Sequence, residues 1–211
     1  ERIEGEYEEL FKNPIIITVG RLSKQKGQWH LIRAFKKVKE KIPDSKLVIL
    51  GEGELENYLK QLTVDLGLEK DVFFLGFQEN PFKYIARSTI YVFPSLYEGF
   101  PNALCEAMTC GIPVISADCK SGPREILAPD TDINVEAKDI EYEEYGILVP
   151  TCDGIMYKYD DELTKQEEIL YRSIIGVMKS QENLNKYSAQ AFDRVKDFNM
   201  ENTIKKWESK I

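Results

Sequence analysis

Short apolar runs alternate with helical patterns between residues 15 and 149, and that alternation limits what the chain can fold into more than any other feature. The first run, Ile15-Ile16-Ile17-Thr18-Val19, is almost wholly β-branched and stops on Gly20. Similar runs return at 46–51, 72–76, 90–95, 113–118 and 145–149. Between them lie helical patterns at 28–41 (Leu31, Ile32, Phe35 and Val38 on one face), 55–66, 81–87, 102–110 and 123–127. Strands that are apolar along their whole length need cover on both faces, and the helices between them supply it. The pattern predicts an α/β fold: a doubly wound, parallel sheet with helices on both faces, closed by the run at 145–149. A polar, acidic excursion at 129–144 interrupts it, and 163–211 reads as a helical tail with few breaks, following a loop at 154–161. Phe198, Ile204 and Trp207 in that tail need something to pack against.

Composition narrows the function. The 211 residues suit one domain with an appendage, and 43% hydrophobic content is enough for a sizeable core. A net charge of −8 argues against a nucleic-acid partner but leaves room for a local basic pocket. Cys105, Cys110, Cys119 and Cys152 match no zinc spacing, and one histidine, His30, gives little material for a metal cage. The cysteines are expected to be free and mostly buried, in a reducing, cytoplasmic setting; His30 is expected to be packing or surface. No apolar run reaches the length of a membrane span, and no signal peptide is visible. The chain starts Glu1-Arg2-Ile3 without methionine, which fits a piece of a longer protein beginning in an interdomain linker.

Ligands of open α/β sheets bind outside the carboxyl ends of the strands. Two loops at such ends carry the chemistry. In Gly20-Arg21-Leu22-Ser23-Lys24-Gln25-Lys26-Gly27, Arg21 and Lys26 flank a helix start, where backbone N–H groups already favour anions. Arg can fork two phosphate oxygens and Lys acts as a point charge, so a diphosphate fits. The P-loop and dinucleotide-binding patterns both fail here, because Gly51-Glu52-Gly53 lacks a third glycine and has Glu56 in its place. The second loop, Glu98-Gly99-Phe100-Pro101-Asn102, leads into a helix that bears Glu106. The N–H groups of Asn102, Ala103 and Leu104 are expected to face an anion, and the two glutamates to grip hydroxyls from different heights. Acidic residues in helices more often form a solvated face, so the pair gains meaning only from the cations nearby.

Taken together, Gly20-Arg21-Leu22 with Lys26-Gly27, Glu98-Gly99-Phe100 through Glu106-Ala107-Met108, and Gly111-Ile112-Pro113-Val114-Ile115 resemble the C-terminal, donor-binding half of a GT-B glycosyltransferase. More narrowly, they are similar to the retaining group 1 (family 4) enzymes with a Glu-x7-Glu motif. The likeness runs from about residue 15 to residue 150. It implies a Rossmann-like domain over 15–180, a linker remnant at 1–14, a helical extension at 181–211, and an N-terminal acceptor domain outside this chain. It implies that Arg21 and Lys26 hold the diphosphate and offset leaving-group charge, that Glu98 with the backbone of Gly99, Phe100, Pro101 and Asn102 meets the transferred sugar, and that Glu106 binds the ribose. Gly20 lies beside the diphosphate, and Gly76 and Phe77 fall at the nucleobase. Ser121-Gly122-Pro123-Arg124-Glu125-Ile126 is similar to the family's Gly-x-x-Glu-Ile turn in a form associated with capsule and lipopolysaccharide enzymes, with Glu125 ordering the turn.

The reaction so implied is metal-independent, cofactor-free transfer of a sugar, with retention, from a nucleotide diphospho-sugar (UDP-linked ahead of GDP-linked) to an acceptor hydroxyl. A peripheral membrane or lipid-linked acceptor at the inner face of the membrane would suit the full-length protein. The alternatives are a nucleotide-sugar binding module without catalysis, or a GT-B-fold epimerase or phosphorylase. A glycoside hydrolase, with two carboxylates flanking a sugar, sits badly beside a diphosphate clamp.

Overall fold

The computed structural model describes residues 3, 5 and 7–198. In chain order the elements are α1 (Tyr7–Leu10), β1 (Ile15–Val19), α2 (Gln28–Lys41), β2 (Lys46–Leu50), α3 (Glu56–Asp65), β3 (Val72–Phe74), α4 (Phe82–Ile85), β4 (Ile90–Phe93), α5 (Asn102–Thr109), β5 (Val114–Ala117), α6 (Pro123–Leu127), β6 (Glu141–Tyr142), β7 (Ile147–Val149), α7 (Lys165–Met178) and α8 (Gln181–Val195). Seven strands form one sheet in the order β3-β2-β1-β4-β5-β7-β6. Every pairing is parallel except β6 with β7. The order reverses between β1 and β4, and that is where an open sheet of this kind leaves a crevice.

Side chains along each strand divide between two cores, as the period of two in a strand demands. Ile16, Leu47, Ile49, Ile90, Val92 and Ile115 face Trp29, Leu31, Phe35 and Ile174 on one side. Ile15, Ile17, Val48, Leu50, Tyr91 and Phe93 face Leu104, Met108, Ile126 and Ala191 on the other. β4, β5 and β7 are therefore wholly buried and β1 and β2 nearly so, which is why they read as unbroken apolar runs. Ile3 and Leu10 also pack into the second core, which ties α1 to the domain.

Two expectations need correction and a third gains detail. The strand at 72–76 ends at Phe74, because Gly76 turns with φ +65° and its carbonyl accepts the Gly51 N–H at 2.8 Å. The run at 145–149 does not close the sheet. β6, drawn from the acidic excursion, adds antiparallel to β7 and takes the edge. Within the described residues the helical tail breaks once, into α7 and α8. Thr164 caps α7 in a reciprocal capping box with Glu167, and Ser180 caps α8 by accepting the Asn183 N–H. α8 lies on α5, and Phe198 packs edge-on to Phe100 at 5.5 Å and under the Arg194 guanidinium. Ile204 and Trp207 lie outside the described residues.

Candidate functional site

Three glycines shape the floor of the crevice at the ends of β1, β2 and β3. The Gly20 N–H donates to the Leu50 carbonyl at 3.0 Å. Gly51 has φ +130°, and a Cβ there would stand 2.1 Å from the Gly20 carbonyl oxygen. Only glycine lets these backbones meet so closely. Above them opens a cavity of about 340 Å³ whose wall includes Gly20, Arg21, Glu52 and Phe77. Arg21 is exposed at its rim. The Arg21 carbonyl is fixed by the Ser23 N–H and by Gln28 Nε2 at 3.0 Å. Phe77 is 70% exposed, and its N–H donates to Glu52 Oε1 at 3.4 Å. Arg21, Gly20, Gly76 and Phe77 thus share one end of the crevice.

Beside Gly20, where a Cβ would stand 3.3 Å from the Lys26 side chain, Lys26 and Glu98 meet. They lie 72 residues apart in sequence, yet Lys26 Nζ is 2.6 Å from Glu98 Oε1. The ammonium also sits 5.2 Å from the centroid of the Phe93 ring. Gly27, in the left-handed region at φ +60°, lets α2 start against β4, where a Cβ would be 2.6 Å from the Pro94 carbonyl. The expectation that Lys26 serves a diphosphate and Glu98 a sugar did not include their pairing with each other. An ammonium carries three donors, so the pairing leaves Lys26 with capacity for a further oxygen. Glu98 is held from behind as well: its N–H donates to the Lys120 carbonyl at 2.9 Å, and its carbonyl accepts the Ser121 N–H at 2.8 Å. Gly122 sits against Gly99 and Pro101, and any side chain there would overlap both.

α5 starts differently from expectation. Pro101 takes the cap position and Asn102 opens the helix. The Asn102 N–H donates to the Phe100 carbonyl at 3.0 Å and the Leu104 N–H to the Pro101 carbonyl at 2.9 Å, so these two are not aimed at a ligand. The Leu104 side chain is fully buried, and Ala103 packs against the same core. Phe100 is 52% exposed and lies edge-on to Phe198. Glu106 is half-buried and makes no ion pair with any described residue. Between it and Glu98 lies a residue the sequence did not single out. Tyr91 is wholly buried on β4, and its hydroxyl donates to the Val19 carbonyl at 3.3 Å. Burial holds its pKa well above the ordinary phenol value, and the charges of Glu106 and Glu98 add to that. A tyrosine inside an otherwise apolar strand was the signal available.

A second missed residue is Arg124. Glu125 was expected to order the turn before α6, but its side chain is exposed. Arg124 does the ordering. It is 6% exposed, donates through Nε to Asp118 Oδ2 at 3.0 Å and through Nη2 to Glu141 at 2.7 Å, and Asp118 also accepts the Ala137 N–H at 2.7 Å. One buried guanidinium therefore ties the acidic excursion to the end of β5, two residues from the Lys120–Ser121 pair that holds Glu98. The cysteines are free, with Cys119 buried and the other three half-buried, which is less burial than expected. Burial pushes the Cys105 thiol up to about 11, and burial together with the Glu98 charge pushes Cys119 up to about 12. Among the described residues, no group of three or more His, Cys, Asp or Glu side chains could hold a metal ion, and no helix is long and apolar enough to cross a membrane. His30 is fully buried, 2.8 Å from Glu167 through Nδ1, so it packs.

Known proteins resemble this chain in sequence and in fold. The family described as "Glycosyl transferases group 1" matches residues 2–142. An uncharacterized glycosyltransferase of Methanocaldococcus jannaschii is 43% identical over 98% of this chain and 52% of its own length. The N-acetylgalactosamine-N,N'-diacetylbacillosaminyl-diphospho-undecaprenol 4-alpha-N-acetylgalactosaminyltransferase of Campylobacter jejuni is 38% identical over 88% of this chain and 44% of its own length. The chain thus spans about half the length of these relatives. In three dimensions, HepE of Anabaena, solved in complex with UDP, superposes with a TM-score of 0.75 at 22% identity, over 97% of this chain and 51% of that one.

Proposed function

Because the chain belongs to the group 1 glycosyltransferases, we propose that it is the donor-binding half of an enzyme that moves a sugar, with retention, from a nucleotide diphospho-sugar to an acceptor hydroxyl. The observation that carries this reading is the convergence at the β1/β4 switch of a basic loop and an acidic one, joined through Lys26 and Glu98 at 2.6 Å. Arg21 and Lys26 hold the donor diphosphate and offset the charge that builds on the leaving group. This electrostatic role asks for no metal or resident cofactor. Glu106, with no ion-pair partner among the described residues, accepts from the ribose diol. Glu98, with the backbone of Gly99 to Asn102, positions the hydroxyls of the transferred sugar. Gly76 and Phe77 flank the nucleobase, with Glu52 fixing the Phe77 backbone.

A UDP-linked donor is favoured over a GDP-linked one by the UDP bound in the similar HepE structure. A lipid-linked or surface-polysaccharide acceptor is supported by the diphospho-undecaprenol acceptor named for the Campylobacter relative. In this reading residues 15–180 are the donor domain, 181–211 its helical extension and 1–14 a linker remnant, while the acceptor domain precedes them in a full-length protein working in the cytoplasm at the membrane's inner face. A second reading, a nucleotide-sugar binding module, is favoured by one fact: the chain spans about half of its relatives. Calorimetric titration of the chain with UDP, GDP and UDP-sugars tests both. Arg21→Ala and Glu106→Ala should each weaken UDP binding about tenfold or more, since a hydrogen bond to a charged group is worth roughly 1.5–3 kcal/mol. Unchanged affinity in both variants would sink the proposed site. Sugar transfer by the isolated chain would instead defeat the division into halves.

A further inference from the structure

One cavity among the described residues lies away from the strand ends. It measures about 730 Å³ and opens between the second half of α2, the end of α3 and the irregular segment leading into α7. That volume falls within the roughly 300–1,000 Å³ of small-ligand sites. Its lining on α2 runs from Arg33 to Glu40, and at about 1.5 Å per residue that wall lies roughly 8–18 Å along the helix from its start beside the Lys26 loop. We propose that this cavity is a second, non-catalytic binding site for a neutral carbohydrate chain.

Its floor is built, not incidental. Arg33 is 1% exposed, yet its guanidinium donates to the carbonyls of Lys158, Asp161 (3.2 Å) and Glu162 (2.8 Å) and to Glu167 (3.0 Å). Burying one cation to fix three carbonyls of a segment without secondary structure holds the cavity wall in a single shape. Preorganisation of that kind lowers the cost of binding. His30 supports the same carboxylate from the other side.

The lining chemistry selects the ligand class. An anion is disfavoured by the charge balance of the lining, where five carboxylates, Glu40 and Asp65 among them, outnumber the cations of Arg33, Lys36 and Lys37. A lipid is disfavoured because the apolar lining, Leu66, Leu163 and the tyrosine rings, is interrupted on every side by charged side chains. What the cavity does offer is two tyrosine rings, Tyr159 (52% exposed) and Tyr171, beside the carboxylates of Glu162 and Glu168, which make no ion pair with any described residue. The negative face of an aromatic ring suits the C–H face of a sugar, and carboxylates accept from its hydroxyls. Nothing in this depends on what the Lys26–Glu98 crevice binds.

Saturation-transfer NMR on the chain, with maltotetraose, isomaltotetraose and chitotetraose as probes and UDP in a parallel sample, tests the site. At least one tetrasaccharide should take up saturation on its ring protons. That signal should fall at least fivefold in Tyr159→Ala/Tyr171→Ala, whose side chains are exposed or half-exposed, while the UDP signal stays as in the parent chain. If none of the three probes takes up saturation, if the signal survives the double substitution, or if UDP displaces the glycan, the second site does not exist as described. Loss of UDP binding in Arg21→Ala with the glycan signal intact would separate the two sites.

Discussion

Lys26 and Glu98 show how much one contact can change the reading of two residues. With side chains 19% and 8% exposed, the pair is mostly shielded from water, so removing one partner leaves the other poorly solvated. Discounting for the exposed part of Lys26, Lys26→Ala should lower stability by about 1–3 kcal/mol in urea unfolding. Adding Glu98→Gln should recover part of that loss; strictly additive effects would show that the pair does not interact. The thiols offer a simpler test at this scale. Because burial raises Cys105 to about 11 and Cys119 to about 12, both stay protonated at neutral pH. Alkylation by iodoacetamide at pH 7.5 should be slow for both in the native chain and complete after unfolding in urea. Rapid native labelling of Cys119 would mean that the end of β5 opens readily.

At the scale of elements, the close starts of helices against strands set the tolerance to substitution. Gly27→Ala must hold φ +60° and place a Cβ 2.6 Å from the Pro94 carbonyl, whereas Gly67→Ala faces only the tip of Lys36 at 3.9 Å. Gly67→Ala should therefore cost about 1–2 kcal/mol, the left-handed penalty alone, and Gly27→Ala clearly more, both read from thermal unfolding. Arg124→Ala should be costlier still, about 3–5 kcal/mol, since Asp118 would keep a buried charge without its cation. These contacts also mark where sequence stops being legible. β1, β2, β4 and β5 and the helices between them were visible because full burial writes itself as apolar runs. Ser180 and the Thr164-to-Glu167 capping box were visible in principle, as cap residues at the right spacing. β6 was not, for a two-residue strand of Glu and Tyr inside an acidic stretch has no period to read. Arg124 was passed over for its neighbour Glu125 because only the fold decides which of two adjacent charged residues points inward. Likewise, both Lys26 and Glu98 could be assigned to one crevice, but their contact depends on how β4 lies beside β1.

For the whole molecule, acid is the condition that should dismantle it in a predictable way. Burial of Glu167 pushes its carboxyl up, but hydrogen bonds from His30, Arg33 and the Thr164 amide outweigh that and leave it below the ordinary value of 4.5. A depressed carboxylate contributes stability above its unfolded pKa and loses it as pH falls through the native one. Stability should thus hold above about pH 5 and fall steadily below 4.5, as α7 and the 158–163 segment lose their anchor on α2. Glu167→Gln should be less stable at pH 7 yet show a flatter acid limb in pH-dependent urea unfolding; an unchanged acid limb would assign the loss to other carboxylates. The antiparallel β6 carries a different consequence. An open parallel sheet exposes a row of unpaired peptide groups at each border, and such rows invite a neighbouring molecule to add its own strand. Here one border is a strand of three residues and the other a strand of two that begins with a glutamate locked onto Arg124. Neither border is long enough to template another chain, so the sheet is protected at both ends from growing into an aggregate.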